Sequence, residues 1–397
     1  MPVSTDAQKI DQLLTRGVEH VYPTQEFLEK HLLSGEQLTL YTGYDPTAPT
    51  LHIGHGITMM KLRQFQDLGH KIIFLIGDFT GMIGDPTDKT SARQKLTSAQ
   101  IKENFSLYKE QAAQILDFEG DNPVEVRYNS EWHGALSFTD VIELSSNFTV
   151  QRMLERDMFQ NRIKDEKPIY LHEFMYPLMQ GYDSVAMGVD GEVGGNDQTF
   201  NMLAGRTLLK QLKEREKFVV CTKLLVDSSG KKMSKTSGNM VAFSDTPEDM
   251  FGKIMRFTDE MIISGFELCT YVSMGEIEKI QAAITAGENP RDFKLRLAFE
   301  ITKTFLGEDA ANIGKDHFSQ VIQSSGRPES ILTLTPKEYT IVPVLVEAGF
   351  ATSTSDARRT IEGGGVKVND EKVNDITLVV SAGDVIQKGK RFFVEIQ

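Results

Sequence analysis

Apolar and polar positions along the chain follow two periods in turn, and the alternation lays out strands and helices. Lys71, Ile72, Ile73, Phe74, Leu75 and Ile76 form a nearly unbroken apolar run of buried parallel-strand type. Leu38, Leu40 and Tyr41 read as a strand ahead of it, Val124, Val126 and Tyr128 alternate as the next, and 218–221 make a last one. Stretches of helical period lie between them, at 7–15, at 24–33, from Leu51 to a stop at Gly69, and at 200–213. Ile101, Phe105, Tyr108, Ala112 and Ile115 predict one amphipathic helix. Helices are expected from about 139 to 182, with sheet residues resuming at 184–188. Strand and helix in turn predict an α/β domain built on a doubly wound, Rossmann-like parallel sheet.

Beyond residue 239 the character changes. Thr246 before Pro247, and Asn289 before Pro290, place a capping side chain ahead of a proline at the first helical position. The span from 246 to 322 reads as mostly helical. Ser324, Ser325, Gly326, Arg327 and Pro328 mark a linker. In the tail, Ser355 to Arg359 open a short helix that Gly363, Gly364 and Gly365 end, and Val366, Val368, Asn369 and Asp370 suggest a strand and tight turn. The expected organisation is an α/β domain at 1–239 with a helical insertion at about 139–182, and an α-helical domain at 240–325. A linker at 326–337 and a small α+β domain at 338–397 follow.

The chemistry concentrates where the strand ending at Tyr41 passes through Gly43, Tyr44, Asp45, Pro46 and Thr47 into the helix that opens at Leu51. Free N–H groups at a helix N-terminus attract phosphate, so strand, turn and buried helix form a nucleotide-binding arrangement. His52 and His55 share one side of its first turn. A zinc pair would need further ligands at metal spacing, which do not follow; turn capping and direct contact with the bound ligand are the other two readings. Downstream, Lys232 and Lys235 stand among Ser and Gly in a cationic loop suited to a pyrophosphate leaving group, the alternative being an ordinary solvated loop. A glycine-rich turn at 77–86 precedes Lys89 and Arg93, residues able to hold anionic groups. Tyr176, Gln180 and Asp183 recur at helical spacing on one face of an otherwise apolar segment, which suits an amphoteric ligand. Asp183 as a plain helix cap and Tyr176 as plain core are the competing readings.

Composition narrows the class. At 397 residues, with 40% hydrophobic and 25% charged positions, the chain has material for two or three domains. Two cysteines, Cys221 and Cys269, leave no disulfide framework and no four-cysteine zinc site. The first residues are polar where an export signal needs an apolar run, and no apolar stretch is long enough to span a membrane, so a cytoplasmic enzyme is expected. The net charge of −13 gives no general attraction for nucleic acid, so an RNA partner would have to meet a local basic patch.

Two motifs carry a family resemblance. His52-Ile53-Gly54-His55 resembles the HIGH signature of class I aminoacyl-tRNA synthetases, and Lys232-Met233-Ser234-Lys235-Thr236, later in the chain, resembles their KMSKS signature. Within that class, residues 41–47, 176–183 and 194–198 are similar to the tyrosyl-tRNA synthetase family. In the tail, Arg358, Arg359, the glycine run and the hairpin resemble the S-four type RNA-binding domain of its bacterial members. The resemblance covers nearly the whole chain.

It implies a tyrosine–tRNA ligase that makes tyrosyl-adenylate from L-tyrosine and ATP, then charges tRNA(Tyr). Thr47, His52 and His55 would donate to developing negative charge, Lys232 and Lys235 would close over the β- and γ-phosphates, and Lys89 and Arg93 would share that clamp. Tyr176, Gln180 and Asp85 would hold the substrate ammonium, Gln198 would lie near its carboxylate, and Tyr41 and Asp183 would pair with the phenol hydroxyl. On the ATP side, Gly54 belongs to the signature, Thr58 and Asp197 would lie near the ribose, and Asp45 close to the adenylate. Thr42 stands where some relatives carry cysteine, which leaves its ribose contact open. Magnesium is expected to arrive with ATP rather than at a protein metal site, and the helical insertion implies a homodimer contact. A tryptophanyl-type enzyme shares fold and chemistry but lacks the phenol-reading pair; a catalytically silent RNA-binding paralogue need not keep both signatures.

Overall fold

In the computed structural model, residues 2–87, 96–226, 240–320, 332–389 and 392–397 are described. Lys89, Arg93, Lys232 and Lys235, and the expected linker as far as 331, lie outside them. The chain divides into two compact units, Met1–Lys315 and Asp316–Gln397.

The first unit is organised on a sheet of six strands: β1 (Val18–Tyr22), β2 (Thr39–Tyr44), β3 (Lys71–Ile76), β4 (Glu125–Tyr128), β5 (Gly191–Gly195) and β6 (Phe218–Thr222), in the order β1-β6-β5-β2-β3-β4. All neighbours run parallel except β1, which pairs antiparallel with β6. The expected doubly wound α/β architecture is therefore present. From β2 the chain first winds outward through β3 to β4 and later returns to the opposite side of β2 as β5. That reversal opens a crevice at the carboxyl ends of β2 and β5.

Helices α1 (Ala7–Thr15) and α2 (Gln25–Leu33) flank β1, with the side chains of Asp6 and Thr24 accepting from first-turn N–H groups. Helix α3 (Ile53–Asp67) packs Ile57, Met59, Leu62 and Phe65 against the sheet. A short α4 (Thr80–Ile83) follows β3. The single helix expected across 101–115 is instead two, α5 (Ser98–Phe105) and α6 (Tyr108–Ala112), broken at Ser106 and Leu107. Its apolar face survives the break, because Ile101, Tyr108 and Ala112 are all buried. Helices α7 (Ser130–His133), α8 (Phe138–Ser145), α9 (Val150–Leu154) and α10 (Asp157–Lys164) then lead to α11 (Leu171–Met187).

The sheet residues expected at 184–188 belong to α11, which ends with Gly188 in the left-handed conformation at φ 61°. Ser184 and Val185 continue the buried face of that helix, so the local apolar pattern is helical rather than extended. The true strand β5 is glycine-rich because its neighbours need the room. A Cβ on Gly191 would stand 2.1 Å from the Phe218 ring. Helix α12 (Thr199–Lys213) packs on α11 and leads to β6.

Helices α13 (Pro247–Ile254), α14 (Met261–Cys269), α15 (Met274–Thr285) and α16 (Pro290–Leu306) share this unit with the sheet. Thr246 and Asn289 cap α13 and α16 as expected. Among the links from these helices to the α/β layer is Arg16, buried just past α1. Its guanidinium donates to the carbonyls of Phe266, Glu267, Thr270 and Val272 around the end of α14. Helix α17 (Glu308–Phe318) follows.

The second unit has its own core of Ile341, Val344, Leu345, Ala357, Ile361, Val366, Ile386 and Val394. Helices α18 (Ile341–Glu347) and α19 (Thr354–Glu362) cover a sheet ordered β7-β11-β10-β8-β9, where β7 is Leu332–Leu334, β8 Val366–Val368, β9 Glu371–Lys372, β10 Val385–Lys388 and β11 Phe392–Ile396. Residues 332–334, expected as linker, form a strand because they pair parallel with 394–396. Asn369 and Asp370, at φ 49° and 70°, make the tight turn between β8 and β9.

Candidate active site

A cavity of about 840 Å³ occupies the crevice at the carboxyl ends of β2 and β5. The described residues named from the sequence, Tyr41 excepted, all line it: Asp45, Thr47, His52, Gly54, His55, Thr58, Asp85, Tyr176, Gln180, Asp183, Asp197 and Gln198.

On one side stands the N-terminus of α3. His52 is its N-cap residue, with extended backbone, and its imidazole stacks on that of His55 with centroids 3.8 Å apart. A Cβ on Gly54 would lie 2.9 Å from the His52 ring, so glycine is what lets the ring fold over the helix end. His55 Nδ1 accepts the His52 backbone N–H at 3.2 Å, which places the proton of a neutral His55 on Nε2. Burial pushes His52 down to about 4 and His55 well below its ordinary value, so both rings are neutral donors at pH 7. Residues 241 and 243 are anchored here: Ile53 N–H donates to Val241 O at 3.0 Å and Phe243 N–H to Leu51 O at 2.9 Å. Residues 241 and 243 are thus held against the start of the histidine motif. Among the described residues no group of three or more His, Cys, Asp or Glu side chains is suited to hold a metal ion.

The opposite wall is the polar face of α11. Tyr176 donates its hydroxyl to Asp45 Oδ2 at 2.8 Å, and Thr80 donates to Asp45 Oδ1 at 2.7 Å. Asp85 accepts Gln198 Nε2 at 2.8 Å and the Thr87 hydroxyl at 2.6 Å, bringing the two ends of the crevice together. Gln180 Nε2 donates to Glu192 Oε1 at 3.0 Å. Deepest is Asp183, which accepts from Trp132 Nε1 at 2.8 Å, from Asn129 Nδ2 at 3.3 Å, and bonds to His133 Nε2 at 2.8 Å. Burial raises the Asp183 carboxyl above its usual value, with His133, Trp132 and Asn129 pulling the other way.

Tyr41 stands one layer behind this wall. Its hydroxyl bonds to Ser184 Oγ at 2.9 Å, and its ring is fully buried. Burial first, then the carboxylates of Glu192 and Asp183, raise its phenol well above the ordinary value, so it keeps its proton. Thr42 turns its hydroxyl to Val193 O at 2.7 Å and lines the cavity. Thr58 is held between Tyr44 OH and His55 O, both at 2.9 Å.

Sequence reasoning missed Thr80, Asn129, Glu192 and Lys223 in the lining, and Trp132, His133 and Lys217 behind it. One signal was available: the chain's single tryptophan sits in Asn129-Ser130-Glu131-Trp132-His133, directly after the carboxyl end of a parallel strand, where crevice residues fall.

Comparison with known proteins bears on the chain as a whole. Residues 33–323 match the model of the family described as tRNA synthetases class I (W and Y), and residues 323–394 match a tyrosine--tRNA ligase SYY-like C-terminal domain. The chain is 43% identical over 394 residues to the tyrosine--tRNA ligase of Moorella thermoacetica, covering 97% of this chain and 95% of that one. It is 45% identical over 390 residues to that of Idiomarina loihiensis, covering 96% of each. Among solved structures, a C-terminally truncated mitochondrial tyrosyl-tRNA synthetase of Aspergillus nidulans superposes with a TM-score of 0.67 at 23% identity, over 79% of this chain and 94% of that one. The Archaeoglobus fulgidus enzyme complexed with L-tyrosine superposes with a TM-score of 0.61 at 23% identity, over 78% and 99%. These last two likenesses concern the fold.

Proposed function

The chain belongs to the tyrosine–tRNA ligase family of class I aminoacyl-tRNA synthetases, and we propose from that premise how its cavity carries the reaction. Its activity is the attachment of tyrosine to tRNA, with ATP as substrate. The observation that best supports the assignment of individual residues is the facing pair of walls: a helix N-terminus with two neutral imidazole donors opposite a polar stripe that ends in a buried carboxylate.

In this reading tyrosine lies along α11. Its phenol donates to Asp183, with Tyr41 the expected second contact behind, and its ammonium meets Tyr176, Gln180 and Asp85. Gln198 lies near the carboxylate. That carboxylate, already ionised at neutral pH, attacks the α-phosphorus of ATP and needs no general base. The bond to the bridging oxygen breaks and pyrophosphate leaves with the electron pair. Thr47, His52 and His55 donate to the charge that develops, so catalysis is positioning and charge stabilisation in a roughly in-line transition state. Lys89, Arg93, Lys232 and Lys235 serve the leaving group, and magnesium enters with ATP. Asp197 and Thr58 hold the ribose, with Asp45 and Gly54 beside the adenylate. A ribose hydroxyl at the tRNA 3′-end then takes the tyrosyl group and releases AMP.

Amino-acid-dependent ATP–pyrophosphate exchange across the twenty amino acids tests the reading. Exchange with tyrosine alone is expected. Exchange driven by tryptophan would overturn the phenol assignment, and none at all would point to a silent paralogue.

The helical insertion supports a homodimer, since Phe138, Ile142, Val150 and Leu171 are exposed there. Among the described residues no helix is long and apolar enough to cross a membrane. The second unit is proposed to meet tRNA through α19, where Arg358 and Arg359 are both exposed. Replacing both by alanine is expected to weaken tRNA binding and to flatten its salt dependence by about one unit per lost phosphate contact. Adenylate formation should be unchanged. Binding titrations over a salt series read the slope, and a slope equal to the parent's would remove these arginines from the interface.

A further inference from the structure

A buried charge pair lies behind the wall that carries Gln180. Glu192, on β5, lines the cavity with only 2% of its surface exposed. Its Oε2 is ion-paired with Nζ of Lys217, which is fully buried immediately before β6. Lys217 Nζ also donates to Ser184 Oγ at 2.7 Å, the oxygen that partners the Tyr41 hydroxyl. Gly205 on α12 makes the niche: a Cβ there would stand 2.6 Å from Lys217 Nζ and 2.7 Å from Ser184 Oγ.

The remaining oxygen of Glu192 accepts the NH₂ of Gln180. An amide offers one NH₂ and one carbonyl oxygen, so this bond commits the donor end to Glu192 and leaves the oxygen for the cavity. An acceptor is what a substrate ammonium requires. A buried carboxylate keeps its charge only beside a compensating cation, and Lys217 supplies it. We propose that Lys217, acting through Glu192, is a positioning residue for tyrosine: the ion pair pins the Gln180 amide with its oxygen toward the substrate ammonium. This rests on Gln180 being an ammonium acceptor.

The groups facing Glu192 define what happens when the cation is removed. Lys217 approaches from the start of β6, Cys221 from β6 itself, Tyr41 from β2, and Asp183, Gln180 and Ser184 from α11, while α12 contributes Gly205. Tyr41 and Cys221 are held protonated by burial, and Asp183 adds a second carboxylate to the same region. Without Lys217 a buried carboxylate takes up a proton. A protonated carboxyl donates as well as accepts, so it no longer holds the Gln180 amide in one orientation, and an amide with its NH₂ turned toward the cavity opposes an ammonium. Raising the pH removes that proton and restores the acceptor.

The test is ATP–pyrophosphate exchange with the full-length enzyme across the neutral pH range, reading KM for tyrosine and for ATP separately. In K217M the KM for tyrosine is expected to rise about tenfold or more, with that for ATP nearly unchanged. The rise should be largest at the acid end and shrink as pH increases, in excess of the acid-side rise that Asp183 alone gives the parent enzyme. E192Q/K217M carries no titrating group at this position, so it should lose the pH slope. A K217M enzyme that melts earlier but keeps the parent's KM for tyrosine at every pH would overturn the proposal. If K217M does not fold, E192Q/K217M is compared with E192L/K217M, which withholds the acceptor. A higher KM for tyrosine in the latter supports the pinning, and equal values overturn it. Q180L separates the two ideas: a raised KM there with none in K217M sinks only the role of Lys217, while an unchanged KM in Q180L sinks the ammonium assignment itself.

Discussion

His55→Ala is expected to slow tyrosyl-adenylate formation by about 10²–10³-fold, with His52→Ala close behind, while tyrosine affinity changes little. The size follows from losing one preorganised donor in a closed site where charge develops. His55 offers its Nε2 proton because its other nitrogen is already committed to the His52 backbone N–H. The rings also hold each other by stacking at 3.8 Å, so each truncation loosens the neighbour, and the double variant should lose less than the product of the two singles. Protonation enters with a definite sign. Burial holds His52 down to about 4 and His55 well below its usual value, so acidifying from pH 8 to pH 6 charges neither ring. The adenylate rate should therefore show no histidine limb near pH 6.5, the ordinary value of an exposed imidazole. Single-turnover adenylate formation at saturating substrates checks both points. Parent-like rates in the alanine variants, or a rate that halves near pH 6.5, would remove the neutral-donor role.

Asp183→Asn is expected to lower kcat/KM for tyrosine by about 10²-fold while that for phenylalanine falls far less, so discrimination between them narrows by a similar factor. Asp183 is surrounded by donors: the Trp132 and Asn129 N–H groups and His133 Nε2 reach its two oxygens at 2.8–3.3 Å. An asparagine turns one of those acceptors into an NH₂, so a donor faces a donor and the phenol loses a charged acceptor. The substitution should also cost stability, by about 1–3 kcal/mol, as one buried donor goes unpaired. A melting curve beside the kinetics separates the two effects. Burial raises this carboxyl, so falling pH protonates it earlier than an exposed aspartate. The KM of the parent enzyme for tyrosine should accordingly rise as pH falls through that raised value. An unchanged tyrosine-to-phenylalanine ratio in a folded Asp183→Asn enzyme would place phenol recognition elsewhere.

The signature residues were legible because each sits where a local pattern announces it. His52 and His55 open a helix, Thr246 and Asn289 precede prolines, and Tyr176, Gln180 and Asp183 recur on one helical face. What stayed hidden depends on partners far along the chain. Strand β1 has the weak burial pattern of an edge and is defined by its register with 219–222. Strand β5 is mostly glycine because Phe218 needs the space over Gly191, so its apolar signal is thin. The apolar residues just before it continue a helix and read as though they were the strand. The same limit governs the site. Glu192 and Lys217 are ordinary charges in sequence and become a buried pair only when β5 and β6 lie side by side. Tyr41 carries the right side chain, yet only tertiary packing shows that Ser184 stands at its hydroxyl.

The edge position of β1 bears on how the chain is made. Strand β1 is made long before its only partner in the sheet, β6, which spans residues 218–222. Arg16, beside it, completes its bonds only when the carbonyls of 266–272 have followed. At roughly 5–20 residues per second, the N-terminal segment waits on the order of ten to fifty seconds for its partners. Through that interval β1 has no strand beside it, and the Arg16 guanidinium lacks the carbonyls that satisfy it in the finished fold. Synthesis speed and chaperone supply, rather than the equilibrium stability of the finished enzyme, would then set how much of it survives birth.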